Sequence, residues 1–391
     1  MNHISRREFL GGAAAFAALP QFAALAELTS KGRSYSVPVL GDIHFDSPDP
    51  KFYHTDYTHS TSQKRYKAHL AEHVRNSEMW KDRLPRLVRA SGTCLRKDAA
   101  FALQMGDLVQ GDCGNAAMHR QMLDDAFGLV KGAYGGKMPL VVASGNHDIR
   151  GDMKGDGARK TMEKWMPQTM SKEIGVPVAG TTFSFRQGPD VFIVVDFNEP
   201  RPNLATIKRL LEESKDARYT FIVSHGPVIP SGQTRWFLMG GKTRDVERKE
   251  LRSLFARRNA ICLCGHTHRL EFYDCEFPEG RISQFVFNSV WSKPEWGTTK
   301  VLGEGAAAYG RHRFGDAGNG LGAKSDAELL AEYTSAVRGY CFAEAAGHYR
   351  LEVSDERVVV VFYAGDSTVS TRTFMLAENK KNKVVTHYDS F

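Results

Sequence analysis

The chain has 391 residues, 42% of them hydrophobic and 25% charged, with a formal charge of +7. A chain this long and this apolar buries a large core, which excludes a disordered or fibrous protein. The positive excess suits an anionic ligand, but it is dispersed and forms no aromatic-interleaved stripe, so no nucleic-acid partner is expected.

At the N-terminus, Ser5-Arg6-Arg7-Glu8-Phe9-Leu10 precedes an uncharged, Ala- and Gly-rich stretch through Ala26. Twin arginines before a weakly apolar segment resemble a twin-arginine (Tat) export signal. Ala24-Leu25-Ala26 fits a small-x-small cleavage site, so cleavage is expected after Ala26. Low hydrophobicity and Pro20 argue against a stable membrane anchor, although an uncleaved anchor is the alternative. The signal holds two Arg and one Glu, which leaves +6 on Glu27–Phe391. The expectation is a periplasmic or secreted protein whose export partner is the Tat machinery, which passes folded cargo.

Five motifs follow in order, each after an apolar, strand-like run. The runs are Ser36–Leu40, Ala100–Met105, Leu140–Ala143, Tyr219–Val223 and Ala260–Cys264. The motifs are Gly41-Asp42-Ile43-His44, Gly106-Asp107, Gly145-Asn146-His147-Asp148, Ser224-His225-Gly226 and Gly265-His266-Thr267-His268. Ligands of α/β sheets bind beyond the carboxyl ends of the strands, so five such ends bring two Asp, one Asn and several His to one rim. Taken singly, a His after a strand is an ordinary polar residue and a glycine there merely permits a turn. Taken together, in order, they point to a two-metal hydrolase. Asp42 and His44, like His266 and His268, are two residues apart, and extended backbone would put each pair on one face. This oxygen and nitrogen donor set suits transition ions.

Between the motifs, 62 residues separate His44 from Asp107. The surplus includes Asp46–Lys67, with Tyr53, His54, Tyr57, His59, Lys64 and Arg65. Two readings stand: a loop over the substrate, to which His54 would contribute, or a solvated surface insertion. Asp82–Arg96 is predicted helical. Thr182–Phe185 and Val191–Phe197 form a predicted hairpin, and Asn203 caps a helix through Lys215 that leads into the His225 strand as a βαβ step. Asp245–Arg257 is a helix and Phe285–Val290 a strand. Gly297–Gly322 holds eight glycines and is expected to be an irregular loop, either a plain surface loop or a flap carrying Arg311 and Arg313 toward a phosphate. Ser325 and Glu328 fit a capping box. His348–Val353 and Arg357–Tyr363 read as a closing hairpin, followed by a polar tail. Six cysteines in a chain of this size do not read as a disulfide framework, and no Cys-x-x-Cys zinc spacing occurs; most are expected to be free thiols.

The series Asp-x-His, Gly-Asp, Gly-Asn-His-Asp, His and Gly-His-x-His resembles the calcineurin-like metallophosphoesterases over roughly residues 37 to 290. The resemblance implies an α/β (α+β sandwich) fold: two packed mixed β-sheets flanked by helices, with a dinuclear site at the C-terminal ends of the strands. It implies one ion held by Asp42, His44, Asp107 and His268 and a second by Asp107, Asn146, His225 and His266. His147 would be the acid near the leaving group and Asp148 its orienting partner. Where the purple acid phosphatase branch has a metal-binding Tyr, this chain has Gln110, so an iron–tyrosinate site is not expected. The ions are drawn from Mn, Fe and Zn. Residues 35–300 form the core, and 301–391 supply a Gly-rich loop, a helix and a hairpin that complete the same domain. The expected activity is hydrolysis of small phosphate esters by a hydroxide bridging the two ions, on a monoester or a diester. A cyclic-nucleotide phosphodiesterase or nucleotidase of narrow specificity, or a non-catalytic metal-containing binder, are the alternatives.

Overall fold

In this computed structural model the described residues are 33–58, 60–151, 157–198, 200–230, 238, 245–290, 296–309, 332–380 and 383–384. The expected signal (1–26), Arg311, Arg313, the Ser325 capping box and most of the polar tail lie outside them. From the N-terminus the elements are β1 (Tyr35–Leu40), α1 (Ser60–Ala68), α2 (Leu70–Lys81), α3 (Arg83–Thr93), β2 (Ala102–Gln104), α4 (Ala116–Ala133), β3 (Leu140–Val142) and α5 (Ala158–Ile174). A hairpin of β4 (Phe183–Gln187) and β5 (Asp190–Val195) follows, then α6 (Pro200–Glu213), β6 (Thr220–Ser224), α7 (Asp245–Arg257) and β7 (Ile261–Cys264). The remainder is β8 (Leu270–Phe277), β9 (Gly280–Val286), β10 (Thr299–Glu304), α8 (Ala306–Tyr309), β11 (Val337–Ala345), β12 (Gly347–Val353), β13 (Arg357–Ala364), β14 (Arg372–Lys380) and β15 (Lys383–Val384).

The strands form two mixed sheets. One runs β15-β14-β13-β12-β1-β2-β3 and the other β10-β11-β8-β9-β7-β6-β5-β4. In the first, β1, β2 and β3 are parallel; in the second, β5, β6, β7 and β9 are parallel. The β5–α6–β6 segment is the expected crossover. The period-2 pleat of the second sheet sorts its side chains into two layers. Phe192, Val194, Phe221, Val223 and Leu263 belong to the core shared with the first sheet. Their neighbours Val191, Ile193, Val195, Ile222 and Cys262 pack with Ile207, Leu210 and Leu211 of α6 and Leu251 and Phe255 of α7. Strands buried on both faces read as continuous apolar runs, which is why these runs were visible in the sequence. The helices α2 to α5 contribute Trp80, Leu87, Met122, Val130 and Trp165 to the same core as the first sheet.

Several expectations change. The Asp46–Lys67 insertion is part solvated and part packed: much of it is exposed, Asp46, Tyr53 and His54 are buried, and it leads into the helices α1 and α2. Within the Gly-rich segment, Thr299–Glu304 form the edge strand β10, because Val301 and its neighbours find the β11 backbone as a partner. The helix α6 starts at Pro200, and Asn203 caps nothing there; its side chain donates to the Asp196 carbonyl (3.2 Å). The hairpin of β12 and β13 closes nothing by itself, since β12 pairs antiparallel with β1 and β14 extends the sheet further. Trp296 is a packing residue, anchored by Asp366 (3.0 Å). All six cysteines are unpaired, and all but Cys94 are buried. Among the described residues no helix is long and apolar enough to cross a membrane.

Candidate metal centre

The five motifs stand where the parallel strands end. Gly41 to His44 follow β1, Asp107 follows β2, Asn146 follows β3, His225 follows β6 and His266 to His268 follow β7. Both sheets therefore deliver their donors to one rim. Alternation along an extended strand does not pair the donors, however. His44, Asp107, His266 and His268 have positive φ of 41°, 49°, 76° and 52°. Left-handed backbone in non-glycine residues is sparsely populated and gathers at functional sites. Each strand ends before its donors, and left-handed backbone aims these four of the seven.

Two glycines of the motifs serve close approach, not rotation. A Cβ on Gly145 would meet Asp107 Oδ1 at 2.2 Å, and one on Gly265 would meet Asp42 Oδ1 at 2.4 Å.

The donors converge in two groups that share Asp107. Asp42, His44, Asp107 and His268 form one, and Asp107, His225 and His266 the other. In the first, His44 Nε2 is 2.9 Å from His268 Nε2 and 3.6 Å from Asp107 Oδ2, while His268 Nε2 is 3.2 Å from Asp42 Oδ2. In the second, His225 Nε2 lies 3.2 Å from Asp107 Oδ2, 3.2 Å from Asn146 Oδ1 and 3.1 Å from His266 Nδ1. Bonds of about 2.1 Å put ligand atoms roughly 2.9–3.4 Å apart around octahedral or tetrahedral ions. The spacings fit two ions. All seven expected donors are thus brought together.

Partners behind the donors fix their orientation. Nδ1 of His44 faces Gln110 Oε1 (3.0 Å), and Nδ1 of His225 faces the Met105 carbonyl (2.9 Å). With those nitrogens donating, Nε2 of each ring is left with its lone pair toward the centre. Gln110 is itself held by Asn76 (2.6 Å), from α2. The position where a relative would carry Tyr thus holds a residue that orients His44. Both Asp42 oxygens accept from the His266 backbone N–H (3.1 and 2.9 Å).

Burial holds the His44 imidazole down at about 4 and that of His266 at about 3, which keeps both neutral, as ligation requires. Burial also opposes charge on His225, but Asp107 and Asp42 outweigh it and lift the ring to about 10. Asp107 is held well below the usual carboxylate range: burial opposes this, and His225, His147 and His44 prevail. The field at the shared carboxylate calls for positive charge.

His147 projects at the edge of this cluster, its ring edge-on to His44 at 4.4 Å. Its backbone N–H donates to Asp107 Oδ1 (2.7 Å). Asp148 does not orient the ring as expected. Its two oxygens accept from the backbone N–H groups of Val109 (3.0 Å) and Gly145 (2.8 Å), so it shapes the loop instead. Burial and the Asp107 charge raise its carboxyl to about 7. The ring is set by the Gln110 carbonyl on Nδ1 (3.1 Å) and by Arg150, whose Nη1 donates to Nε2 (3.1 Å). His54 is buried and faces Asp46 and Asp112, away from any substrate.

Arg150 is absent from the residues the sequence picked out. Its guanidinium is gripped by Asp112 (2.6 Å) and Glu72 (3.0 Å) and remains slightly exposed at the His147 edge. The signal was its position, three residues after His147 in a motif already marked. Asn198 was also missed; its amide donates to the Gly145 carbonyl (3.0 Å) and Ser144 Oγ (3.2 Å), bracing the Asn146 loop.

The family model for the calcineurin-like phosphoesterases matches residues 36–270. No curated protein matches in sequence. Among solved structures, that of PhoD is similar at a TM-score of 0.51 and 10% identity, over 91% of this chain and 72% of that one. A dimetal phosphatase from Danio rerio aligns at 0.47 and 11% identity, over 88% and 99%. A purple acid phosphatase from yellow lupin (Lupinus luteus) seeds aligns at 0.47 and 12%, over 89% and 54%.

Proposed function

Because the chain belongs to the calcineurin-like phosphoesterases, a family that uses a dinuclear metal centre, we propose that it hydrolyses small phosphate esters. The observation that carries this reading is the pair of donor groups sharing Asp107. In this proposal Asp42, His44, Asp107 and His268 hold one ion and Asp107, Asn146, His225 and His266 the other, with Mn, Fe or Zn as candidates. Bound there, two cations would neutralise the phosphate oxygens and lower the pKa of a shared water.

The chain supplies the rest. Asn146 is a neutral donor, which keeps a negative field from repelling the substrate. Arg150 is already rigid, because Asp112 and Glu72 fix its fork, so an arriving anion meets a prepaid geometry. Contact of a phosphate oxygen with Nη1 would withdraw that donor from His147 Nε2. The ring, still held at Nδ1 by the Gln110 carbonyl, could then carry a proton at Nε2 toward the leaving oxygen.

Metal content of the full chain, followed by hydrolysis of p-nitrophenyl phosphate and bis-p-nitrophenyl phosphate with added Mn, Zn or Fe, tests the reading. Turnover that depends on metal supports it, and the ratio of the two rates assigns monoester or diester preference. Failure to bind any metal after reconstitution would remove the dinuclear centre. Export through the Tat route, with cleavage after Ala26, is part of the same proposal. It rests on Arg6-Arg7 and the weakly apolar stretch behind them. Secretion that survives the double variant Arg6→Lys, Arg7→Lys would count against it.

A further inference from the structure

Two residues beyond His44, a second polar cluster is sealed inside the protein. The side chains of Asp46, His54, His73 and Asp112 are all 0% exposed. His54 Nε2 lies 3.3 Å from both oxygens of Asp46, and His73 Nδ1 lies 2.9 Å from Asp46 Oδ2. One donor atom from each of Asp46, His54 and His73 lies within 4.8 Å of the others. No Lys or Arg pairs with Asp46 among the described residues, so its buried charge is met only by the two imidazoles and the Ser47 N–H.

The outward nitrogens of the two rings decide how the inward ones are used. His54 Nδ1 is 3.1 Å from the Asp112 carbonyl and therefore donates to it. A neutral His54 then points the lone pair of Nε2 at a carboxylate, which is repulsive unless a positive species stands between them. His73 Nε2 faces Asp112 Oδ2 at 3.7 Å, beyond hydrogen-bond range, and is a buried nitrogen without a hydrogen-bond partner. Each ring thus turns one nitrogen to Asp46; His54 is held from behind by the Asp112 carbonyl, as ligating histidines are, while His73 Nε2 stands 3.7 Å from the Asp112 carboxylate. Asp112 is fixed for this role by Arg150 Nε (2.6 Å) and a left-handed backbone (φ 55°).

We propose that Asp46, His54 and His73 form a third cation site, separate from the dinuclear centre, that takes a single divalent ion of borderline character such as zinc. The two-nitrogen, one-carboxylate set suits such an ion. Complete burial makes the site structural, since no substrate reaches it. Its ligands span the start of the insertion and helix α2. The same helix sends Asn76 to Gln110 and Trp80 Nε1 to the His44 carbonyl (3.2 Å). The ion therefore fastens the insertion to the wall that orients His44.

The test is metal stoichiometry of the full chain after equilibration with zinc and removal of loose ions. Three equivalents are expected for the wild type, two for His54→Leu, two for a His225→Ala, His266→Ala variant that removes one ion of the dinuclear centre, and one when all three substitutions are combined. Wild type and His54→Leu both holding two equivalents, with unchanged circular dichroism, would show the cluster to be a proton-linked hydrogen-bond network and overturn the proposal. Should His54→Leu not fold, anomalous diffraction at the zinc edge from wild-type crystals decides. A peak between Asp46, His54 and His73 supports the site, and peaks confined to the dinuclear centre refute it.

Discussion

At the scale of single residues, the positions that matter most are those that break local backbone preference. His44, Asp107, His266 and His268 all sit at positive φ, where a β-branched residue would be strained. Arg150 illustrates a second kind of constraint, a cation fixed before any ligand arrives. Truncation by Arg150→Met removes a charge-assisted contact worth about 1.5–3 kcal/mol, so kcat/KM for a phosphomonoester should fall roughly 10- to 100-fold at unchanged occupancy of the dinuclear centre. An unaltered kcat/KM would take Arg150 out of substrate binding. His147→Ala should also keep both ions yet lower kcat, most for esters with poor leaving groups; equal losses across a leaving-group series would argue against its acid role. The seven donors were legible because metal chemistry restricts the residue types and strand ends restrict the places. Asn198 and the orienting role of Gln110 were not, and Arg150 was signalled only by its place three residues after His147. They act through contacts made by side chains distant in sequence, such as Glu72 and Asn76, and no local pattern announces such contacts.

At the scale of elements, the buried strands and amphipathic α7 followed directly from periodicity, with α7 at the expected Asp245–Arg257. The strands β8, β10, β11 and β14 did not. Their alternation is interrupted by charged residues that tertiary partners satisfy, as Arg281 from β9 satisfies Asp274 on β8. Helix α7 is tied to the chain before β11 in the same way. Arg248, 3% exposed, donates to both Glu332 oxygens (2.6 and 3.0 Å) and to Tyr333 Oη (2.7 Å). Breaking a buried pair from one side leaves a desolvated charge, here partly covered by Arg252 (2.9 Å). Arg248→Met should therefore cost about 3 kcal/mol in urea unfolding. A loss below about 1 kcal/mol would show that Arg252 alone suffices.

For the whole molecule, the pH dependence of stability is set in part by two buried histidines outside the donor set. His119 donates Nε2–H to the Asp148 carbonyl (2.8 Å) and His348 to the Ser367 carbonyl (2.8 Å), and burial holds both at about 4. The folded protein refuses protons that the unfolded chain accepts below its ordinary histidine pKa of about 6.5. Stability from these groups is complete above that value and is lost as pH falls through the window between 6.5 and 4. By pH 5 the loss is about 2 kcal/mol per group. The urea midpoint of the wild type should drop between pH 7 and pH 5 more steeply than that of a His119→Gln, His348→Gln variant; equal slopes would refute the assignment.

The span of the donor set has a consequence for biosynthesis. Asp42 is held by the backbone of His266, 224 residues later, and β1, which leads into Asp42, is edged by β12 at Gly347–Val353. A chain emerging from the ribosome therefore exposes its first donors long before it owns the last. In the proposed centre neither ion could be gripped by a half-made product, because each donor group needs a residue from His225 onward. Acquisition of metal there would follow synthesis through His268, so early nascent fragments would not sequester ions they have no means to use.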